Sequence, residues 1–154
     1  MNRASFFGLG VVLLFACNNN KVFEEYYSIP NNSWHTDSAL NFECMIVDTN
    51  TEYDVIIKVR HSTNYSYQNL FLFVHQNTTD TIELLLADKN GKWFGSGPSD
   101  VRELVYILEE KRKFSCNERY HINIEQAMRY GNKEVITNLN GVSAIGLSIK
   151  KHNE

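Results

Sequence analysis

Apolar and polar residues alternate with a period of two along much of this chain, and this alternation limits the possible folds more than any other feature. Tyr120, Ile122 and Ile124, for example, are separated by His121 and Asn123. Because successive side chains of a strand point to opposite faces, the pattern predicts strands with one buried and one solvated face. Similar segments, one of them apolar on both faces, predict eight strands near residues 22–27, 41–48, 54–60, 70–74, 81–86, 101–109, 120–125 and 143–150.

Turn-forming residues separate the predicted strands. Asn90-Gly91 is a strong hairpin signal because both residues tolerate a positive φ angle. A chain of 154 residues can bury one substantial core, and an aromatic content of 12% is ample to fill the space between two sheets. The sequence therefore predicts an all-β fold, an antiparallel two-sheet sandwich of about eight strands with a jelly-roll or immunoglobulin-like layout. A helix of one or two turns is predicted at 132–139.

The N-terminal segment has the pattern of a bacterial lipoprotein signal. Arg3 precedes an almost wholly apolar run from Phe6 to Ala16. This run is too short to span a membrane, but it suits the hydrophobic region of a signal peptide. The four residues LFAC that end at Cys17 resemble a lipobox, with the phenylalanine bulkier than the usual residue at its position.

These features divide the chain into three parts. We interpret residues 1–16 as a lipoprotein signal peptide, 17–21 as a lipidated Cys17 with a short polar tether, and 22–154 as a single β-sandwich domain. A lipid on Cys17 would hold the protein on a membrane that the chain does not span. The alternatives are a plain signal peptide or an N-terminal core segment.

Motifs for catalysis or metal binding are missing from the sequence. The histidines lack metal-ligand spacing, and neither a Gly-x-Ser-x-Gly elbow nor a Cys-x-x-Cys pair occurs. We therefore predict no catalytic, cofactor-binding or metal site. The formal net charge of −3, without clustered Lys and Arg, argues against a nucleic-acid partner. The mixed charges at 109–113 are predicted to form a solvated hairpin tip.

Three aspartates near predicted strand ends, Asp80, Asp88 and Asp100, are the best candidates for acid chemistry. Two facing carboxylates are the minimum for a glycosidase, and oxygen ligands at turns suit calcium. Aspartates at such positions more commonly cap turns by accepting backbone N–H groups. We favour turn capping.

Four aromatic residues, Trp34, Tyr65, Tyr67 and Trp93, lie in or beside predicted loops. Exposed rings of this kind stack on sugars or anchor a protein partner, whereas buried ones would seal the ends of the sandwich. We favour sealing. Cys44 and Cys116 can pair in an exported protein, and two separate buried thiols are the slightly favoured alternative.

Three longer stretches carry a resemblance to a known family. They are NYSYQNLFLF at 64–73, DTIELLLAD with GKWFGSG at 80–97, and IEQAMR with LNGV and IGL at 124–147. Together with the lipobox and Trp34, they resemble the gliding motility lipoprotein GldH family of Bacteroidota over nearly the whole mature chain.

The resemblance implies a lipid-anchored, non-catalytic component of the gliding and type IX secretion apparatus, with other envelope proteins as partners. The resemblance assigns a function to one residue, Cys17, as the site of lipidation. The expected location is the outer membrane, on its periplasmic side. Two alternatives stay open at this point. A carbohydrate-binding lipoprotein would need coplanar exposed rings, and an exported hydrolase would need facing carboxylates or a histidine beside a nucleophile.

Overall fold

The computed structural model describes residues 20–115, 118–131 and 134–153. The signal segment, Cys17 and Cys116 lie outside these ranges. In the described part, a 3-10 turn at Pro30–Asn32 accompanies a fold built almost wholly of strands. Numbered β1 to β12 in chain order, these strands are Lys21–Ser28, Ser33–His35, Leu40–Ile46, Tyr53–Ser62, Asn69–His75, Thr79–Leu85, Val101–Arg112, Glu118–Gln126, Arg129–Tyr130, Glu134–Val135, Asn138–Asn140 and Val142–Lys151.

The eight predicted strands are confirmed, but the predicted number is too low. Each predicted segment overlaps one of the eight long strands, which are β1, β3 to β8 and β12. The additional strands β2, β9, β10 and β11 contain only two or three residues each. A strand this short contains too few residues to display a period of two, so the pattern does not reveal it.

The long strands form two antiparallel four-stranded sheets. Their orders are β1-β12-β4-β7 in the first sheet and β3-β8-β5-β6 in the second. Counting only the long strands from one to eight, the orders become 1-8-3-6 and 2-7-4-5. Among consecutive long strands, β5 and β6 form a hairpin within one sheet, and every other connection crosses between the sheets. This is the jelly-roll arrangement, which decides between the two predicted layouts.

The core fills the space between the inner faces of the sheets. Val55, Ile57 and Val59 of β4 are fully buried and alternate with residues on the outer face. In β8 of the opposite sheet, Ile122 and Ile124 are buried in the same way. Strand β5 is an inner strand, as predicted, with residues 70, 72 and 74 buried and the two phenylalanines between them half-buried.

Strand direction gives the sandwich two distinct ends. We call the end where β1 begins and β12 finishes the proximal end, because Lys21 lies opposite Lys150 and Lys151 lies opposite Tyr53. The last residues of β3 and the first residues of β8 reach the same end. We call the opposite end, where β7 and β12 begin, the distal end. It carries the four short strands.

The predicted helix at 132–139 is wrong where the structure describes it; residues 132 and 133 lie outside the described ranges. The segment contains β10 and β11 instead. Nε2 of Gln126 donates to the carbonyl of Ile136 at 2.6 Å, the N–H of Ile136 donates to the carbonyl of Met128 at 3.0 Å, and β11 pairs with β2 so that Leu139 is fully buried. These long-range contacts outweigh a weak local helical preference.

The predicted hairpin tip at 109–113 is also wrong, because β7 continues as far as Arg112. The Arg112 guanidinium lies 4.8 Å from the ring centroids of Phe114 and Tyr120, and it pairs with Glu109 at 2.6 Å. Since β7 is at the edge of its sheet, charged residues are compatible with a strand there.

Candidate functional site

Two of the four candidate aromatic residues are buried at the distal end. Trp34 of β2 is almost completely inaccessible, and its Nε1–H donates to the carbonyl of Ser38 at 2.8 Å. Tyr65 is also buried, and its hydroxyl donates to the carbonyl of Asn69 at 3.0 Å. Both polar groups therefore have partners, as buried aromatic side chains require. The predicted sealing role is confirmed for these two residues.

Trp93 and Tyr67 are half-buried and pack beside the same cluster. The Trp93 ring lies 4.8 Å from the ring of His61 and is tilted by 58°, while Tyr67 meets Tyr65 edge to face at 5.6 Å. Neither arrangement supplies the coplanar pair of exposed rings that a sugar-stacking platform needs. The geometry of the four rings therefore does not favour the carbohydrate-binding alternative.

His61 is a fully buried histidine inside this aromatic cluster. Its Nδ1 lies 3.0 Å from the carbonyl of Ser62, which assigns the proton to Nδ1. Its buried Nε2 has no hydrogen-bond partner. Burial lowers the pKa of His61, and the positive charge of Arg102 acts in the same direction. The neutral imidazole thus packs as a ring against Tyr65 and Trp93.

An open groove of about 680 Å³ lies at the distal end next to the aromatic cluster. Residues 66–69 line one side, and Leu85, Asp88 and Phe94 are among those that line the other. Leu85 is 60% exposed and Phe94 is 42% exposed, so the groove presents apolar side chains to solvent. We call this feature the distal groove.

Backbone hydrogen bonds fix the walls of the distal groove. The carbonyl of Gln68 accepts from the N–H groups of Leu86 at 2.7 Å and Ala87 at 3.1 Å, which ties one wall to the other. The N–H of Phe94 donates to the carbonyl of Leu86 at 2.8 Å. The groove is therefore formed before any partner binds, which lowers the entropic cost of binding.

The sequence carries a signal for the distal groove that the period-two pattern alone does not reveal. Leu84, Leu85 and Leu86 form an apolar run where alternation would place a polar residue at the centre. Leu84 and Leu86 are buried in the core, so Leu85 is left on the solvent side. An interruption of the alternation can therefore identify an exposed apolar residue.

The three candidate aspartates belong to different segments: Asp80 lies opposite Val74 in the β5–β6 pair, Asp88 follows β6, and the carbonyl of Asp100 accepts from the N–H of Thr63 at 2.7 Å. Oδ1 of Asp88 accepts from the N–H groups of Asn90 at 2.8 Å and Lys92 at 2.9 Å, so this residue caps its turn as predicted. Gly91 in this turn has a φ of +80°, as the hairpin signal predicts. Within residues 20–115, 118–131 and 134–153, no group of three or more His, Cys, Asp or Glu residues has the geometry to hold a metal ion.

A network of polar side chains covers part of the outer face of the first sheet. The ring of Tyr26 lies across Gly146, where an added Cβ would come within 2.5 Å of it. The guanidinium of Arg60 sits 4.2 Å from the same ring, and Glu103 accepts from Arg60 at 2.6 Å and from the Tyr26 hydroxyl at 3.1 Å. Lys58 extends this network by forming an ion pair with Glu24 of β1. This polar network spans β1, β12 and β4, whereas Val105 and Ile107 of edge strand β7 leave apolar side chains exposed on the same face.

The cysteines fall into two groups. Cys44 is a half-buried free thiol, and burial raises its pKa to about 11, so it is a weak nucleophile at neutral pH. Cys17 and Cys116 lie outside the described residues, so lipidation at Cys17 and pairing of Cys116 stay predictions.

The described part of the chain contains no helix with the length and apolar character needed to cross a bilayer.

Comparison with known proteins identifies the family. The family model for the GldH lipoprotein matches residues 21–149. A gliding motility lipoprotein GldH homolog from Christiangramia forsetii is 35% identical, over 92% of this chain and 90% of its own. The gliding motility lipoprotein GldH of Flavobacterium johnsoniae is 32% identical, over 93% of this chain and 92% of its own.

Among solved structures, the coat protein of Tobacco streak virus aligns with 92% of each chain, at 7% identity and a TM-score of 0.29. These values are too low to support any inference. The family model and the two curated relatives each span nearly the whole sandwich domain, and both relatives are named as gliding motility lipoproteins. The chain therefore belongs to the GldH lipoprotein family.

Proposed function

We propose that this protein is a non-catalytic component of the gliding motility and type IX secretion apparatus, acting through protein–protein contacts. A lipid on Cys17 anchors it to the outer membrane on the periplasmic side, and the distal groove receives a protein partner of that apparatus. Family membership supports the involvement in gliding motility.

The observation that carries the contact role is the exposure of Leu85 and Phe94 beside a preformed groove. A monomeric protein rarely exposes apolar side chains together unless the surface binds something. The centres of protein interfaces are enriched in such residues and depleted of charge. Half-buried Tyr67 adds an aromatic contribution on the opposite wall.

Substitution in the groove tests this role. In a gliding bacterium, Leu85→Asp combined with Phe94→Ala should abolish colony spreading and reduce recovery of the partner from gently solubilised envelopes by at least about tenfold. The matched control is Ile107→Asp, which changes an exposed apolar residue on edge strand β7 away from the groove. Normal spreading by the groove variant, at normal protein level, would contradict the proposed docking site.

The anchor is tested separately by metabolic labelling with a radioactive fatty acid. Wild-type protein should incorporate the label and sediment with membranes. Cys17→Ala should lose both properties, because alanine has no thiol to carry the acyl-bearing lipid. Label that persists in Cys17→Ala would refute lipidation at this position.

A further inference from the structure

We infer that the proximal end of the sandwich is a second membrane-contact site, which inserts Val22, Met45 and Val47 into the interfacial region of the bilayer. This inference rests on the proposed lipid anchor at Cys17 and adds to it an orientation for the whole domain. We call the three residues the proximal patch.

The proximal patch is an apolar surface on an otherwise charged end. Val47 is 74% exposed, Met45 is 55% exposed and Val22 is 45% exposed. All three line one open groove of about 320 Å³, which also contacts Lys151. Val22 is turned outward by a bulge in β1, because the pairing register with β12 shifts between Lys21 and Phe23. The three side chains therefore form one surface that the fold of the domain leaves uncovered.

The length of the tether places this surface against the membrane. Asn20 is fixed to the sandwich, because its carbonyl accepts from the N–H of Lys151 at 2.8 Å and its side chain donates to Asn153 at 2.9 Å. Two residues lie between Cys17 and Asn20, and the three extended steps along the chain put the lipidated cysteine at most about 11 Å from the proximal end. The polar headgroup layer on each side of a bilayer is only about 5–8 Å thick. The proximal patch therefore reaches the headgroup layer without any change in the fold.

The same distance disfavours a protein as the occupant. A folded domain of 100 residues has a radius of gyration of about 13 Å, so it does not fit in a gap of about 11 Å between the sandwich and the bilayer. Lipid is the one component of the envelope that is certain to be present there once Cys17 is acylated.

Charge around the proximal patch shows which kind of lipid contact is expected. Lys151 pairs with Asp48 at 3.2 Å, Lys21 pairs with Glu24 at 2.6 Å, and the neighbouring Lys113 and Glu52 are 3.4 Å apart. These cations are compensated by acids of the same chain, and the whole chain carries a formal charge of −3. The contact is therefore apolar in origin, and it should depend little on anionic lipid or on salt.

The test measures the depth of each end in vesicles that carry the full lipidated protein. Tryptophan is introduced by Val47→Trp at the proximal end and by Leu85→Trp at the distal end, and shallow brominated phosphatidylcholine serves as the quencher. The native Trp34 and Trp93, both at the distal end, provide the baseline. The fluorescence added by Val47→Trp should be mostly lost in brominated vesicles, with and without phosphatidylglycerol, whereas the fluorescence added by Leu85→Trp should be unchanged.

Two further measurements separate the possible failures. Mass spectrometry of the same samples reports acylation, and flotation reports membrane attachment. If acylated, vesicle-bound protein shows no quenching of Val47→Trp, or equal quenching at both positions, the proximal contact is refuted and the anchor stands. If the protein carries no acyl chain, both the lipid anchor at Cys17 and the membrane contact of the proximal patch are refuted.

A second variant covers the case in which Val47→Trp perturbs the fold. Val22→Thr, Met45→Gln and Val47→Thr together remove apolar character with little change in side-chain size. Hydrogen exchange in the segment 47–52 should be slower in vesicles than in detergent for wild-type protein, and this protection should be lost in the triple variant. Equal protection in both proteins would overturn the inference.

Discussion

The distal and proximal ends of the sandwich close the same core by different means. At the distal end, loops and four short strands fold over the core and bury Trp34, Tyr65 and His61. At the proximal end, the core is closed by one buried ring cluster, in which Phe114 after β7 meets Tyr53 and Tyr120 edge to face, and ion pairs such as Lys151–Asp48 lie on the surface. The stretches that carry the family resemblance meet mainly at the distal end, whereas the chain enters and leaves at the proximal end.

This difference agrees with the separate tasks proposed for the two ends. A surface that receives a specific partner benefits from fixed walls, and the backbone hydrogen bonds around Gln68 supply them in the distal groove. A surface that rests on lipid needs only accessible apolar side chains, because a fluid bilayer adapts to their positions. Each end breaks the strand alternation with an apolar run, at Leu84 to Leu86 in one case and at Met45 to Val47 in the other.

The largest effect is expected from Trp34→Ala at the distal end. Removing this buried ring leaves a cavity beneath the short strands, so the free energy of unfolding should fall by about 3–5 kcal/mol. Urea denaturation followed by circular dichroism measures the change. Val47→Ala at the proximal end is the matched control and should change stability by no more than about 0.5 kcal/mol, because its side chain is exposed. Similar losses in both variants would break the comparison between the ends.

A smaller effect is expected from Asp54→Asn, which tests how the proximal end is held. Asp54 is buried, it lies 2.7 Å from Nδ1 of His152, and it accepts from the N–H of Lys111 at 3.3 Å. Loss of its charge should cost about 1–3 kcal/mol at neutral pH. Although burial raises the pKa of Asp54, hydrogen bonds from His152 and Lys111 outweigh it, and the net pKa is lowered from 3.8.

The sign of this shift predicts a pH dependence. The stabilisation from Asp54 is complete above the ordinary aspartate pKa and is lost as pH falls through the lower pKa of the folded state. The difference between wild type and Asp54→Asn should therefore shrink in strong acid. A difference that is constant over the whole pH range would mean that the charge of Asp54 does not stabilise the proximal end.

The smallest effect concerns His61 in the distal cluster. Because burial lowers its pKa below 6.5, the unfolded chain takes up a proton more readily than the folded one. Its contribution to stability is complete above pH 6.5 and declines as pH falls towards the pKa of the folded state. His61→Phe keeps the ring contact with Trp93 and should flatten the stability profile between neutral and mildly acidic pH. An unchanged profile, measured by thermal unfolding, would show that other groups cause the acid sensitivity.

The long strands were predictable because each one has a buried and a solvated face, which requires apolar and polar residues to alternate along the sequence. The layout was predictable only as far as two alternatives, because strand order depends on pairing between segments distant in sequence. The short strands and the segment around Ile136 were not predictable, since the pairing of β11 with β2 and the hydrogen bond from Gln126 to Ile136 are tertiary contacts. The charged end of β7 was misjudged because its position at a sheet edge, where charges are tolerated, is not visible in the sequence.

The candidate site was predicted in part. The buried roles of Trp34 and Tyr65 followed from the need to seal a sandwich that has wide ends. The distal groove did not follow, because its two walls come from segments that meet only in the folded state. Leu85 carried a usable signal as the exposed member of an apolar run, whereas Phe94 follows a tryptophan in a loop and carried none.

Site-specific photo-crosslinking in gliding cells tests the division of tasks most directly. A photoreactive amino acid is placed at Leu85 in one strain and at Val47 in another, with Cys17 intact in both. The account predicts a discrete protein adduct from position 85 and lipid adducts without a protein adduct from position 47. A discrete protein adduct from position 47, with none from position 85, would contradict it.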